Sequence, residues 1–248
     1  MERLNKVVQL SIMFWIMKII ATTLGETLGD YIAQILNLGY TIGLVITFVF
    51  FSIAFYFQLK SKKYIPTFYW LVIIATTTLG TKISDYLDRS LHLGYTLGSL
   101  FLFSCLLLTL FLWYRKFKSL SVYPIIESSK EIYYWMAIWF SNSLGTAFGD
   151  YLGDNLGLSY LNGALVTAAV IAIVLILHYF SKINQVLLFW IAFIFTRPFG
   201  ATFGDFLTKP ISKGGLDLGT LAASIVSLFV MILLILITHR KVKRKIIT

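Results

Sequence analysis

Four copies of one motif, each closing on an aspartate inside a hydrophobic run, constrain this chain more than any other feature. They read Leu24-Gly25-Glu26-Thr27-Leu28-Gly29-Asp30-Tyr31, Leu79-Gly80-Thr81-Lys82-Ile83-Ser84-Asp85-Tyr86, Leu144-Gly145-Thr146-Ala147-Phe148-Gly149-Asp150-Tyr151 and Phe199-Gly200-Ala201-Thr202-Phe203-Gly204-Asp205-Phe206. A carboxylate surrounded by hydrocarbon is strongly unfavourable, so four at equivalent places require a protein-lined or wet environment. The repeat also extends beyond the motif. Trp15, Trp70, Trp135 and Trp190 each precede the first motif glycine by ten residues. Tyr40, Tyr95 and Tyr160 follow their aspartates by ten, and Gly43, Gly98 and Gly163 by thirteen. In the fourth copy Gly219 follows Asp205 by fourteen, which suggests one inserted residue, with Asp217 near the tyrosine's place. A repeat this regular sets the fold before local propensity is considered.

Composition decides what the apolar runs are. Hydrophobic residues make up 58% of the chain and charged ones 13%, with a mean hydropathy of +0.82. A soluble domain carries roughly 25% charged residues. The expectation is an all-α integral membrane bundle, and 248 residues accommodate eight transmembrane helices at about 20 residues per span. The spacing predicts spans near 9–35, 40–59, 66–88, 95–114, 131–153, 159–180, 186–208 and 218–238. Odd spans carry the motif; even spans are plainer, rich in Leu, Ile, Val and Phe. Each two-span hairpin returns the chain to its starting side, so the four tandem repeats share one orientation rather than being inverted. The first motif glycines are 55, 65 and 55 residues apart. The longer middle step predicts two halves within one membrane domain, residues 1–120 and 121–248, joined through the charged stretch 115–130 that contains Pro124.

The basic residues predict a topology. Fifteen of the 21 Lys and Arg lie at the N-terminus, the even-span exits and the C-terminus, whereas Arg89, Lys209 and Lys213 lie on the opposite side. By the positive-inside rule both termini are cytoplasmic. Arg3 and Lys6 precede the first span as in a signal peptide, but that span carries a full repeat copy, so a retained anchor is expected. The net charge of +10 is concentrated at these ends and in the tail 240–245. There it suits anionic lipid, so the bilayer, not nucleic acid, is the expected partner. Cys105, the single cysteine, lies in an apolar run and excludes an internal disulfide framework.

The chemistry lies on the motif helices. Residues three, four, seven and eight positions before each aspartate share its face. They are Thr27, Glu26, Thr23 and Thr22; Lys82, Thr81, Thr78 and Thr77; Ala147, Thr146, Ser143 and Asn142; and Thr202, Ala201, Pro198 and Arg197. Lipid cannot satisfy such polar stripes, so they must face protein or a water-filled cavity. The small-xxx-small steps Gly25/Gly29, Gly80/Ser84, Gly145/Gly149 and Gly200/Gly204 let helix backbones approach closely. The odd helices are therefore expected to meet centrally, with Gly43, Gly98, Gly163 and Gly219 easing contact on the even ones.

Counting Glu26 and the four aspartates against Lys82 and Arg197 leaves −3, or −2 with Lys18. That excess favours a cation or protons. Oxygen-only donors suit Mg²⁺, Ca²⁺, Mn²⁺ or an alkali ion rather than Zn²⁺ or Cu⁺. The expected cation- or proton-binding set is Asp30, Asp85, Asp150 and Asp205, which are also the expected metal ligands, with Glu26 and Asn142 as further oxygen donors. Lys82 and Arg197 are the expected internal counter-charges. Plainer readings stand beside this: a local Lys82–Asp85 ion pair, Arg197 neutralising Asp205 or a neighbouring aspartate, and aspartates that merely close helix ends. Asp88 and Asp154 suggest an outer vestibule. The tryptophans suit packing or an interfacial belt. His92, His178 and His239 have no metal-ligand spacing.

The recurring Leu-Gly-x-x-x-Gly-Asp-aromatic units resemble a family of bacterial multi-spanning membrane proteins of uncharacterised function, built from tandem copies of this repeat. The resemblance implies a compact eight-helix body in the bacterial inner membrane and implies no substrate. Ser84 and Lys82 in the second copy, and Arg197-Pro198 in the fourth, depart from fourfold equivalence. The functional expectation is a small secondary transporter for a cation, divalent or proton-coupled, without a resident cofactor. A passive cation channel and a non-transporting scaffold or sensor subunit are the alternatives, and a homo-oligomer is compatible with all three. No G-x-x-x-x-G-K-[ST] loop occurs for ATP-driven transport, and no Ser/His or His-pair constellation for an enzyme.

Overall fold

The computed structural model describes residues 5–36 and 38–247, without the side chains of Gln34, Ile35, Lys213 and residues 241–247. Arg3 and the tail's basic side chains from Lys241 onward, which entered the topology argument, lie outside that description. The described residues form eight α-helices and no strand. They are α1 (Ile12–Asp30), α2 (Gly39–Lys60), α3 (Pro66–Asp85), α4 (Gly94–Phe117), α5 (Ser128–Asp150), α6 (Tyr160–Phe180), α7 (Gln185–Thr208) and α8 (Thr220–Ile247). Local signals set their starts. The Ser11 hydroxyl accepts from the Phe14 N–H, the Asn184 side chain from Val186 and Leu187, and Pro66 occupies the first turn of α3. Each repeat is one hairpin of an inner motif helix and an outer helix.

The inner helices α1, α3, α5 and α7 form a closed ring, each packing on its two neighbours, and the motif glycines are what closes it. A Cβ on Gly25 would overlap Thr77 of α3, and one on Gly80 would lie 2.9 Å from the Ser143 backbone nitrogen of α5. One on Gly145 would overlap Arg197 of α7, and one on Gly200 would overlap Thr22 of α1. Thr22, Thr77, Asn142 and Arg197 all stand eight residues before their aspartates. The first glycine of each repeat thus receives the same position of the next, and the fourth returns to the first.

The outer helices interlock this ring. α2 packs on α3, α4 on α5, α6 on α7 and α8 on α1, so each outer helix covers the following repeat's inner helix. The same kind of contact runs within and between residues 1–120 and 121–248. The outer helices turn long apolar side chains outward, such as Val45, Val49 and Ile53 on α2 and Ile225, Phe229 and Ile232 on α8. Among the described residues six helices are long and apolar enough to cross a membrane: α1, α2, α4, α6, α7 and α8. α3 and α5 lie between them in the ring, where their polar stripes are buried by protein.

The tryptophans gather at one end of the bundle and the aspartates at the other. Trp70, Trp135 and Trp190 are buried with Phe14, Tyr69, Tyr134 and Phe193, while Trp15 is half-buried. The tryptophans are thus mainly packing residues. At that end the N-terminal segment is bound into the bundle. The Lys6 N–H donates to the Ile125 carbonyl at 2.9 Å, and Ile125 N–H to the Asn5 side chain at 2.8 Å. Lys6 also pairs at 2.5 Å with fully buried Glu131, which accepts from Gln58 at 2.8 Å.

Past the first three aspartates the helices widen into single π turns, Tyr31–Ile35, Tyr86–Ser90 and Tyr151–Asn155, whereas α7 continues as α-helix to Thr208. Gly219 corrects the expected alignment. Its φ of +78° matches Gly39 (+72°) and Gly94 (+70°), which also stand where outer helices start. Those glycines follow their aspartates by nine residues and Gly219 by fourteen, so the fourth copy carries five extra residues, not one. They fold as a loop with a 3₁₀ turn at Ile211–Lys213.

Candidate cation site

The ring turns the stripes inward, and the side chains stack in layers one helical turn apart. Four residues before the aspartates stand Glu26, Thr81, Thr146 and Ala201; eight before stand Thr22, Thr77, Asn142 and Arg197. Above them the motif aspartates line a polar chamber of ≈ 50 Å³ together with Glu26, Asp154, Arg89 and Lys209. It opens at the motif end, where Asp150 and Asp205 are 11% and 13% exposed and Arg89 and Lys209 are 35% and 25%.

Two cations divide the four aspartates into pairs from neighbouring repeats. Lys209 Nζ donates to Asp30 Oδ2 at 2.7 Å and lies 3.3 Å from Asp205 Oδ1. The Arg89 guanidinium lies 3.6 Å from both Asp85 Oδ1 and Asp150 Oδ2, and its Nη1 donates to the Tyr40 hydroxyl at 2.9 Å. Each of these cations stands four residues past its own repeat's aspartate, one turn along the same face. Burial lowers the pKa of Lys209, but the carboxylates of Asp205 and Asp30 outweigh it, so the pKa is raised and the ammonium stays charged. Arg89 follows the same balance, with Asp85 and Asp150 as its carboxylates.

Two further cations approach from within the ring. Lys82 Nζ donates to Asp85 Oδ2 at 2.5 Å, the local i,i+3 pair that its spacing allows. Arg197 reaches neither Asp205 nor another aspartate. Its Nη2 donates to Glu26 Oε2 at 2.8 Å and to the Thr81 and Thr146 hydroxyls at 2.6 Å each. One nitrogen therefore ties together side chains from the first three repeats.

The structure brings Asp30, Asp85, Asp150, Asp205 and Glu26 to one chamber, and among the described residues three of these carboxylates form a group close enough to share an ion. Glu26, Asp30 and Asp205 each offer an oxygen within 4.8 Å of the others. Opposite ligands of a Ca²⁺ ion are about 5 Å apart, so this trio fits one hard cation. Asp85 and Asp150 are not part of it; Arg89 lies between them. Asn142, grouped with the aspartates by its helical face, is not at the chamber. It sits two turns lower, where its Oδ1 accepts from Lys18 Nζ at 2.9 Å and its Nδ2 donates to Thr76 at 3.1 Å. Asp154 joins the chamber and accepts from the Tyr95 hydroxyl at 2.8 Å, whereas Asp88 turns away against Ser84 and Gly98. His92 and His239 are exposed, and His178 bonds Gln185. The roles of Arg89 and Lys209 are not visible in the sequence pattern, where both count only among the basic residues on the side opposite the termini.

No curated protein and no solved structure matches the chain. Four successive segments, residues 13–64, 68–119, 133–184 and 188–244, each match one family repeat. Each holds one inner helix and the outer helix that follows, so the chain belongs to the family described as Repeat of Unknown Function (DUF347).

Proposed function

We propose that this protein is a small secondary transporter of a cation, divalent or exchanged against protons, with Glu26, Asp30 and Asp205 holding the ion. The observation that carries the reading is that trio, with its oxygens within 4.8 Å, at the wall of a chamber of ≈ 50 Å³. A space of that size holds a few waters at about 10–15 Å³ each, so it suits a bare or partly hydrated ion rather than an organic solute. Charge supports a cation. Six lining carboxylates stand against Arg89 and Lys209 in the wall and Lys82 and Arg197 behind it, which leaves two formal negative charges when every group is ionised. One divalent ion or two protons neutralise them.

In this reading Lys209 acts as a tethered counter-ion that leaves Asp30 and Asp205 when the cation arrives. The buried aromatic residues at the tryptophan end are the closed side of an alternating-access cycle. The location we propose is the bacterial inner membrane, with the tryptophan end and both termini cytoplasmic, in keeping with the bias of basic residues toward that end. Manganese binding to the purified chain, followed by electron paramagnetic resonance, tests the site. Saturable binding that weakens at least tenfold in Glu26→Gln and Asp205→Asn supports it; Mn²⁺ binding that ignores both substitutions refutes the assignment.

A second reading is favoured by the same ion pairs. Each motif aspartate has a cationic neighbour, as expected of a buried network in a scaffold or sensor subunit. There, aspartate-to-asparagine changes alter assembly with another protein and no ion moves.

A further inference from the structure

Toward the tryptophan end the inner ring finishes in two layers unlike those above. Sixteen residues before the aspartates stand Phe14, Tyr69, Tyr134 and Phe189; twelve before stand Lys18, Ile73, Ile138 and Phe193. All eight are buried. The lower layer is four aromatic rings, with the Tyr69 and Tyr134 hydroxyls bonded to each other. The upper layer is apolar in three repeats, and Lys18 is its exception.

Lys18 lies on the ring axis. α5 stands opposite α1, and Lys18 Nζ reaches across to donate to Asn142 Oδ1 at 2.9 Å, with the centre of the Phe193 ring at 4.1 Å. Lys18 is 0% exposed and makes no ion pair among the described residues. The charged and titratable groups around it supply no counter-charge. On α7, Arg197 stands one layer above; on α1 itself, Glu26 is two turns above and is held by Arg197. α3 and α5 present the Tyr69 and Tyr134 hydroxyls one layer below, and Glu131 beyond them pairs with Lys6. α8, which also packs on α1, has no titratable side chain between Thr220 and Thr238.

An ammonium here is strongly unfavourable, with a guanidinium nearby and an amide oxygen as its one hydrogen-bond partner among the described residues. A neutral amine makes the same bond to Asn142 and suits a layer of Ile and Phe. A residue needed only to fill that layer would be apolar, as in the other repeats, and a permanent charge would need a carboxylate. A lysine fits because its amine can be either neutral or charged.

We propose that Lys18 is a proton-binding site on the ring axis, a neutral amine in the closed arrangement and an ammonium once the aromatic layer below it parts. The Nζ lone pair takes one proton from water admitted at the tryptophan end, one N–H bond forms, and the proton returns to water before the layer closes. Proton binding by Lys18 does not depend on the cation reading; its use in exchange against a cation rests on that reading.

Equilibrium unfolding of the purified full chain in mixed micelles, from about pH 7 to 9.5, tests the site. Lysine in an unfolded chain stays an ammonium up to about pH 10.4, so a neutral Lys18 makes unfolding take up a proton and stability rises with pH. The folded-to-unfolded ratio of the wild type, relative to that of Lys18→Met, should rise by up to tenfold per pH unit. Nitrogen-15 resonances of labelled lysine in the wild type give a second readout, in which a neutral amine is expected at about pH 7.5. Parallel stability curves, or lysines that are all ammonium, would overturn the proposal. In proteoliposomes Lys18→Met should keep cation counterflow and lose its stimulation by a proton gradient. Stimulation equal to that of the wild type overturns the coupling; a wild type that moves no cation strikes the cation reading, and the two pH readouts still decide Lys18.

Discussion

The closed ring makes a sharp distinction between two glycines four residues apart in the motif. At Gly25 an added Cβ would overlap the Thr77 Oγ1 and Cβ and stand 3.0 Å from the Thr77 backbone carbon. Neither the Thr77 Cβ, at 2.4 Å, nor the backbone carbon can rotate away, so α3 must shift from α1 by about 1 Å to reach ordinary contact. That movement also strains the Thr77 hydroxyl bond to the Ala21 carbonyl, now 3.1 Å. Overpacking of this kind costs about 1–3 kcal/mol, and a weakened hydrogen bond about 0.5–1.5 kcal/mol. The gain in helix propensity from Gly to Ala returns about 1 kcal/mol. Gly25→Ala should therefore destabilise by about 1–3 kcal/mol, or roughly 3–10 °C in midpoint for a chain of this size. At Gly149 the nearest atom to an added Cβ is the Ala201 Cβ at 3.2 Å, and the next are at 3.7 Å. There the propensity gain about balances a small adjustment, and Gly149→Ala should be neutral within about 0.5 kcal/mol. Thermal unfolding followed by tryptophan fluorescence compares them, because Trp70 and Trp135 are buried on the ring helices. Equal midpoints for the two variants would refute the close α1–α3 crossing.

Three further substitutions probe the charges. Arg197→Gln leaves Glu26 buried without its cation and should cost about 3–5 kcal/mol; adding Glu26→Gln should recover more than half, as read from a double-mutant cycle on unfolding midpoints. Glu131→Gln strands Lys6, 5% exposed, at the tryptophan end, and should destabilise by a similar 3–5 kcal/mol in the same assay. Lys209→Gln removes the internal competitor for Asp30 and Asp205. It should tighten Mn²⁺ binding roughly tenfold, equivalent to about 1.4 kcal/mol, whereas weaker binding would make Lys209 a structural clamp.

Much of this was legible in the chain because the repeat turns one local observation into four. The small-xxx-small steps announced close helix crossings, and each first glycine does meet the next inner helix. The inward stripes followed from the inability of lipid to satisfy threonine and carboxylate groups. What was not legible concerned reach across the ring. Arg197 is eight residues from Asp205, about 12 Å along the helix, and only the ring's closure brings Glu26 within its span. Asn142 shares a helical face with Asp150, yet the two-turn difference in height gives its oxygen to Lys18. Arg89 and Lys209 lie beyond the motif, where their +4 spacing from an aspartate was the available signal, hidden by their place next to loops. The five-residue insertion before Gly219 was misjudged because glycines at two distinct positions, one for close packing and one for a positive φ, lie four residues apart in the first two repeats.

Counterflow in proteoliposomes tests the central claim most directly. The purified chain is loaded with one unlabelled cation at a time from a panel of Mg²⁺, Ca²⁺, Mn²⁺, Na⁺ and K⁺, and uptake of the same labelled ion is measured with and without a proton gradient. A cation carrier built on Glu26, Asp30 and Asp205 predicts saturable uptake of at least one ion, accelerated by internal cation or by the proton gradient and lost in Asp30→Asn and Asp205→Asn. Liposomes through which no cation of the panel moves, or in which both variants carry it as well as the wild type, would contradict that account.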